Sequence, residues 1–210
     1  MEKICYIIGA GDITDPNIKA SAGDLIICAD GGYKYNTLLG RECDMVVGDF
    51  DSFGCIPETE NKLIAPTEKD ETDMMLAVDY GYSKGYRKFV LLGALGGERN
   101  DHSVANIQLL HYIASKGARG TIYHGDEIFT AFSDGTLTLG AELKGYVSVF
   151  SLSDESRGVT IRNLKYTLEN ATLYSYVPVG VSNEFLGCES SVTVEEGRLL
   201  VVYKSINVEM

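Results

Sequence analysis

The residues best suited to chemistry begin with Gly48-Asp49-Phe50-Asp51-Ser52, which follows the apolar run Met45-Val46-Val47 where a buried strand would empty into a loop. Residues i and i+2 of an extended chain share a face, so Asp49 and Asp51 point at one spot. Two carboxylates sharing a site repel each other unless a cation sits between them. Mg2+ suits that place, because it is held by one or two carboxylates together with phosphate and water oxygens. The alternative is an Asx-turn that only ends the strand.

Three further segments have the same character. Ala29-Asp30-Gly31-Gly32 follows the apolar Leu25-Ile26-Ile27, and its paired glycines suit either a close backbone approach to a ligand or a tight turn. Asp30 would join the rim that carries Asp49 and Asp51. Lys69-Asp70-Glu71-Thr72-Asp73 opens a helical pattern, with Asp70 expected as N-cap and Asp73 three residues on. Capping accounts for both acids, while Lys69 and Thr72 beside a helix N-terminus also suit phosphate, and the two roles are compatible. Gly93-Ala94-Leu95-Gly96-Gly97-Glu98-Arg99-Asn100-Asp101-His102 is a glycine-rich loop running into a second helix. Its glycines free amides to turn toward an anion, and Arg99 offers a planar fork. The GxxxxGK[ST] order is missing, so this is no Walker loop. His102 reads as a base or as a hydrogen-bonding residue at a helix start. Asn106 reads as a satisfied polar core group or a ligand contact. Gly9-Ala10-Gly11 with Thr14 is an incomplete dinucleotide fingerprint.

The elements that must position these groups follow from periodicity. Residues 3–10, 24–30, 43–48 and 88–94 are short apolar runs ending in Gly, Ala or Asp, as buried parallel strands do. Helical spacing places Met74, Ala77, Val78 and Gly81 on one face, and Asn106, Leu109, Leu110, Ile113 and Ala114 on another. Alternating strands and helices predict an α/β N-terminal domain with a mainly parallel sheet and ligands beyond the strands' carboxyl ends. All four motifs then share one sheet edge, and together they make a metal-assisted phosphate site that works by positioning and charge neutralisation. Beyond Ile122 the helical period is lost. Strand-like runs at Thr136–Leu139, Tyr146–Leu152, Val159–Ile161, Ala171–Tyr174, Ser191–Val194 and Leu199–Val202 predict an all-β C-terminal sandwich. The polar stretch 124–135 marks the boundary, giving domains 1–128 and 129–210.

The 210 residues carry a formal charge of −12 and no block of Lys or Arg, which argues against nucleic acid or an anionic membrane as partner. Such a chain must bring cations locally to bind a polyanion. Five cysteines with no CxxC spacing, and a start without a leader-like apolar stretch, fit a reduced cytoplasm. No apolar run reaches the ~18 residues of a membrane span.

In order along nearly the whole chain, ADGG (29–32), GDFDS (48–52), KDETD (69–73), the GALGG loop through Arg99, Asp101 and His102, and GVSNEF (180–185) resemble the thiamine pyrophosphokinase family. The resemblance implies an α/β nucleotide domain, a β-sandwich, and a homodimer whose thiamine site lies between subunits. It implies thiamine plus ATP giving thiamine diphosphate plus AMP. Asp49, Asp51 and Asp73 become the Mg2+ and phosphate-facing acids, with Asp30 near them. Lys69, Asp70 and Thr72 line the same cleft. Arg99, Asp101 and His102 surround ATP, with Asn106 on that side, and Ser182, Asn183 and Phe185 contact thiamine. Phe185 suits a flat cationic heteroaromatic ligand, which can stack on it. Glu98 departs from the family's commoner GGRxDH loop by intervening between Gly97 and Arg99. The rival readings are a pyrophosphokinase for another small alcohol and a non-catalytic nucleotide-binding dimer.

Overall fold

The computed structural model describes residues 2–14, 17–48, 61–64 and 70–204. The predicted site residues Asp49, Asp51 and Lys69 lie outside the described residues. The described chain is mainly sheet, with parallel and antiparallel pairings, and carries two α-helices, α1 (Asp73–Ser83) and α2 (Asn100–Ser115). It divides into two compact units, Met1–Leu109 with Ile122–Gly125 and Leu110–Thr121 with Asp126–Met210.

The first unit is built on β1 (Ile4–Ile8), β2 (Leu25–Ala29), β3 (Met45–Gly48), β4 (Lys62–Ile64) and β5 (Lys88–Leu92). These strands run parallel in the order β4-β3-β2-β1-β5, with Ile7 of β1 beside both Ile27 and Leu91. The last four residues of β1 are all buried, as a parallel sheet covered on both faces requires. One face takes α1, whose buried residues are the expected Met74, Ala77, Val78 and Gly81. The other face buries Tyr6, Ile8, Ile26, Cys28, Val46 and Leu92, packed by Ile13, Ile18, Tyr33 and Leu38 from the connecting segments. Strands β1 to β4 extend the sheet one way and β5 returns to the far side of β1. The order therefore reverses between β1 and β5, and a crevice at the carboxyl ends is expected there.

Two local expectations are corrected. Helix α1 is capped by Thr72, whose hydroxyl accepts from Met75 N at 3.2 Å, and not by Asp70; Asp73 is the first helical residue. The hydroxyl reaches the third amide of the helix, which satisfies a donor that Asp70 is too far back to serve. Asp30-Gly31-Gly32 opens a 3-10 helix, Asp30–Tyr35, instead of a plain turn. Gly32 lies so close to the end of β1 that a Cβ there would sit 1.9 Å from the Ile8 carbonyl oxygen. Close approach between two backbones demands that glycine.

β6 (Arg119–His124) contributes residues to both units. The second unit is antiparallel, with β7 (Glu127–Leu139), β8 (Tyr146–Ser151), β9 (Glu155–Arg162), β10 (Leu168–Tyr174), β11 (Asn183–Glu184) and β12 (Ser190–Lys204). The runs Ser191–Val194 and Leu199–Val202 are halves of the one strand β12, which keeps β7 as partner throughout and breaks register between Val194 and Arg198. Across that bulge its other partner changes from β9 to β8. Most of the stretch 124–135 is strand too, because Ile128, Thr130, Ala131 and Phe132 point into buried positions along β7. Val147, Val149, Val159, Ile161, Val192 and Val201 dominate the core of this unit. Among the described residues no helix is long and apolar enough to cross a membrane.

Candidate active site

The crevice expected between β1 and β5 is present as a cavity of about 300 Å3, lined wholly by the first unit. Gly9, Ala10 and Gly11 enter it from the end of β1, Ala29 and Asp30 from β2, and Gly93, Ala94, Gly96 and Gly97 from β5. The loops after β1 and β5 are joined backbone to backbone: Gly9 N donates to Leu92 O at 2.8 Å, Gly11 N to Gly93 O at 2.8 Å and Asp12 N to Leu95 O at 3.0 Å. The incomplete Gly9-Ala10-Gly11 fingerprint is thus cavity wall, and its glycines permit that junction.

Helix starts supply the rest. Thr72 and Asp73 line the cavity from the N-terminus of α1, where the helix dipole favours negative charge. Asp70 and Glu71 are exposed and are not lining residues. Asp30 has a left-handed backbone, with φ of 41°. Gly48, the last residue of β3, lies against it, since a Cβ there would be 3.2 Å from Asp30 Cα.

Glu98, Arg99, His102 and Asn106 line the side of the cavity toward α2. Arg99 grips Asp101 in a fork, with Nε to Oδ1 at 3.0 Å and a terminal nitrogen to Oδ2 at 2.5 Å. The hydrogen bond from Arg99 pulls the Asp101 carboxyl down to about 2, and Asp101 in turn raises the Arg99 guanidinium. Asp101 is not a lining residue; it steadies the arginine that is. Asn106 is 7% exposed and donates from Nδ2 to Ala94 O at 2.6 Å, so the buried amide is satisfied by the loop and still faces the cavity.

The GVSNEF residues lie together in the second unit. Asn183, also 7% exposed, accepts from Tyr166 N and Glu184 N at 2.9 Å each and donates to Tyr166 O at 2.6 Å. Its amide is taken up by backbone. Ser182 is exposed with φ of 61°, and its amide donates to Ser148 Oγ at 3.2 Å. Phe185 is half-buried, edge-on to Tyr203 at 6.4 Å.

Lys34 escaped the sequence reading. Its ammonium lies 3.4 Å from the carbonyl of the lining residue Ala10. Only its place four residues after Asp30 hinted at this.

A parallel sheet with glycine loops, acids and an arginine around its switch-point crevice defines an α/β enzyme that handles a phosphorylated substrate. Family models described as "Thiamin pyrophosphokinase, catalytic domain" and "Thiamin pyrophosphokinase, vitamin B1 binding domain" match residues 18–122 and 136–199. The chain belongs to the thiamine pyrophosphokinase family. It is a thiamine diphosphokinase, a transferase that takes ATP as co-substrate. A thiamine pyrophosphokinase of Bacillus subtilis is 29% identical over 165 residues, covering 74% of this chain and 75% of that one. A crystal structure of the Bacillus subtilis thiamine pyrophosphokinase superimposes with a TM-score of 0.82 at 25% identity, covering 98% and 100% of the two chains. One from Geobacillus thermodenitrificans gives 0.79 at 26% identity, covering 99% and 100%.

Proposed function

We propose that the cavity at the switch point seats ATP, and that the chain moves its terminal diphosphate onto the hydroxyl of thiamine. The observation that carries the reading is the joint placement of Asp30, Thr72, Asp73, Arg99, His102 and Asn106 around one crevice at the strands' carboxyl ends. Lys69 and Asp70 belong to the same segment as Thr72, and Asp101 acts through Arg99. Ser182, Asn183 and Phe185 serve thiamine, Phe185 by its ring face and Asn183 by holding the loop that carries the other two. Residues 1–128 form the ATP-binding domain and 129–210 a β-sandwich that binds thiamine.

Mg2+ is the metal this donor set fits, because Asp30 and Asp73 give the cavity hard carboxylate oxygens of the kind Mg2+ takes alongside phosphate. Asp49, Asp51 and Asp73 would hold it, and it would neutralise charge on the phosphate oxygens. The thiamine hydroxyl attacks the β-phosphorus in line, the bond to the oxygen bridging α and β breaks, and AMP leaves. A carboxylate of the acidic group takes the hydroxyl proton. Arg99 and the helix N-termini stabilise the spread of charge.

The working form is a cytoplasmic homodimer. Tyr146, Tyr176, Val179, Val181 and Leu186 of the second unit are more than half exposed, an apolar set that a second copy would cover. The test is incubation with thiamine, ATP and Mg2+, following AMP and thiamine diphosphate. Formation of ADP and thiamine monophosphate would rule out diphosphate transfer. Asp51→Asn should lose turnover by about a hundredfold or more while remaining folded; retained activity would remove GDFDS from the site.

A further inference from the structure

Three consecutive residues of the glycine-rich loop are each anchored from outside it. Asn106 donates to Ala94 O at 2.6 Å, Asp12 N donates to Leu95 O at 3.0 Å, and Gly96 N donates to Ser103 Oγ at 3.1 Å. Ser103 and Asn106 are three residues apart on α2 and so share a face. They hold the loop with opposite polarity, one accepting from it and one donating to it, so that sliding the loop along the helix breaks both bonds. Gly96 is the pliable member of the three. Its φ is +75°, and a Cβ there would meet Asp12 Oδ2 at 2.2 Å, so the position belongs to glycine and gains no rigidity from a side chain of its own. Gly97 follows with φ of +78°, and both glycines are cavity wall.

We propose that Ser103, which is half-buried behind that wall, is a positioning residue for ATP, its hydroxyl fixing the Gly96–Gly97 turn in the form that shapes the cavity. The inference rests on the reading of this cavity as the ATP seat. Without the hydroxyl, the Gly96 amide is released and the two-glycine turn samples other conformations, which ATP must then reverse on binding. Thiamine, assigned to the second unit, is spared that cost.

The test compares wild type, Ser103→Ala and Ser103→Thr by equilibrium binding of a non-hydrolysable ATP analogue with Mg2+, and by steady-state kinetics. Ser103→Ala should weaken analogue binding and raise KM for ATP by about fivefold, the worth of one ordinary hydrogen bond. KM for thiamine and kcat should stay within about twofold, and Ser103→Thr should restore the wild-type KM because it keeps the hydroxyl. Equal binding by wild type and Ser103→Ala overturns the proposal whatever the melting temperatures show. So does failure of Ser103→Thr to rescue, or a matched rise in both KM values, which general loosening of the fold would give. Should wild type itself bind no analogue, the ATP-seat reading falls and this inference with it.

Discussion

At the scale of single residues, the Arg99–Asp101 fork makes the sharpest electrostatic statement. The hydrogen bond from Arg99 holds Asp101 at about 2, so the folded state favours the charged carboxylate. A depressed acid contributes fully above its unfolded value of ~3.9, and the contribution is lost as pH falls through about 2. No step in ATP affinity from this pair is expected near neutrality. In a carboxyl-carbon NMR titration Asp101 should have its midpoint near about 2, and Arg99→Gln should return it toward ~3.9; an unmoved midpoint would mean that the fork does not form in solution. Asn183 gives a stability prediction. Asn183 is buried and makes three hydrogen bonds to backbone, so Asn183→Ala should cost about 2–3 kcal/mol in urea unfolding, and a loss below about 0.5 kcal/mol would count against the observed network. That Asp30, Asp73, Arg99, His102 and Asn106 share one cavity wall was legible in the sequence because each stands at or near a strand end or a helix start, and parallel strands and their helices bring those ends to one edge. Ser103 and Lys34 were not, because each acts on a backbone atom of another segment, and serine and lysine are common on any surface.

At the scale of elements, α1 shows how firmly a stripe is written and how softly a boundary is. Met74, Ala77, Val78 and Gly81 were readable from spacing alone, since their burial is a property of helical period. The cap was not, because the segment offers Asp70, Thr72 and Asp73 in succession and only the geometry selects Thr72. Thr72→Ala should destabilise by about 1 kcal/mol through loss of the bond to Met75 N, while Asp70→Ala should stay within about 0.5 kcal/mol. Thermal melting of both variants decides between the two caps, and a larger loss from Asp70→Ala would reverse the assignment. Gly81 sits where a Cβ would meet Cys5 Sγ at 2.6 Å and Phe89 Cε1 at 3.0 Å, so the helix rides directly on β1 and β5. β12 was read as two strands because Glu195, Glu196 and Gly197 interrupt its alternation, and the bulge that lets it change partners looks in sequence like a turn. β4 went unread because three residues, Lys62–Ile64, carry too little pattern.

At the scale of the whole molecule, the strands β1, β2, β3 and β5 were legible and their order in the sheet was not. Parallel partners are chosen by crossovers whose direction leaves no mark on the apolar runs, yet the reversal between β1 and β5 is what locates the cavity. Net charge was legible, and it sets an expectation opposite to that for most proteins that bind polyanions. The chain carries −12, and among the described lining residues Asp30, Asp73 and Glu98 oppose Arg99 alone. Magnesium-bound ATP is still an anion, so its approach is disfavoured at long range and assisted only at contact. Salt shortens the reach of that repulsion to about 10 Å at 0.1 M. Stopped-flow mixing with a fluorescent ATP analogue at fixed saturating Mg2+ should therefore show the association rate constant rising, by less than about tenfold, as KCl goes from ~20 to ~200 mM. A steep fall would mean that a local positive field governs capture, and the placement of ATP among these acids would have to be abandoned.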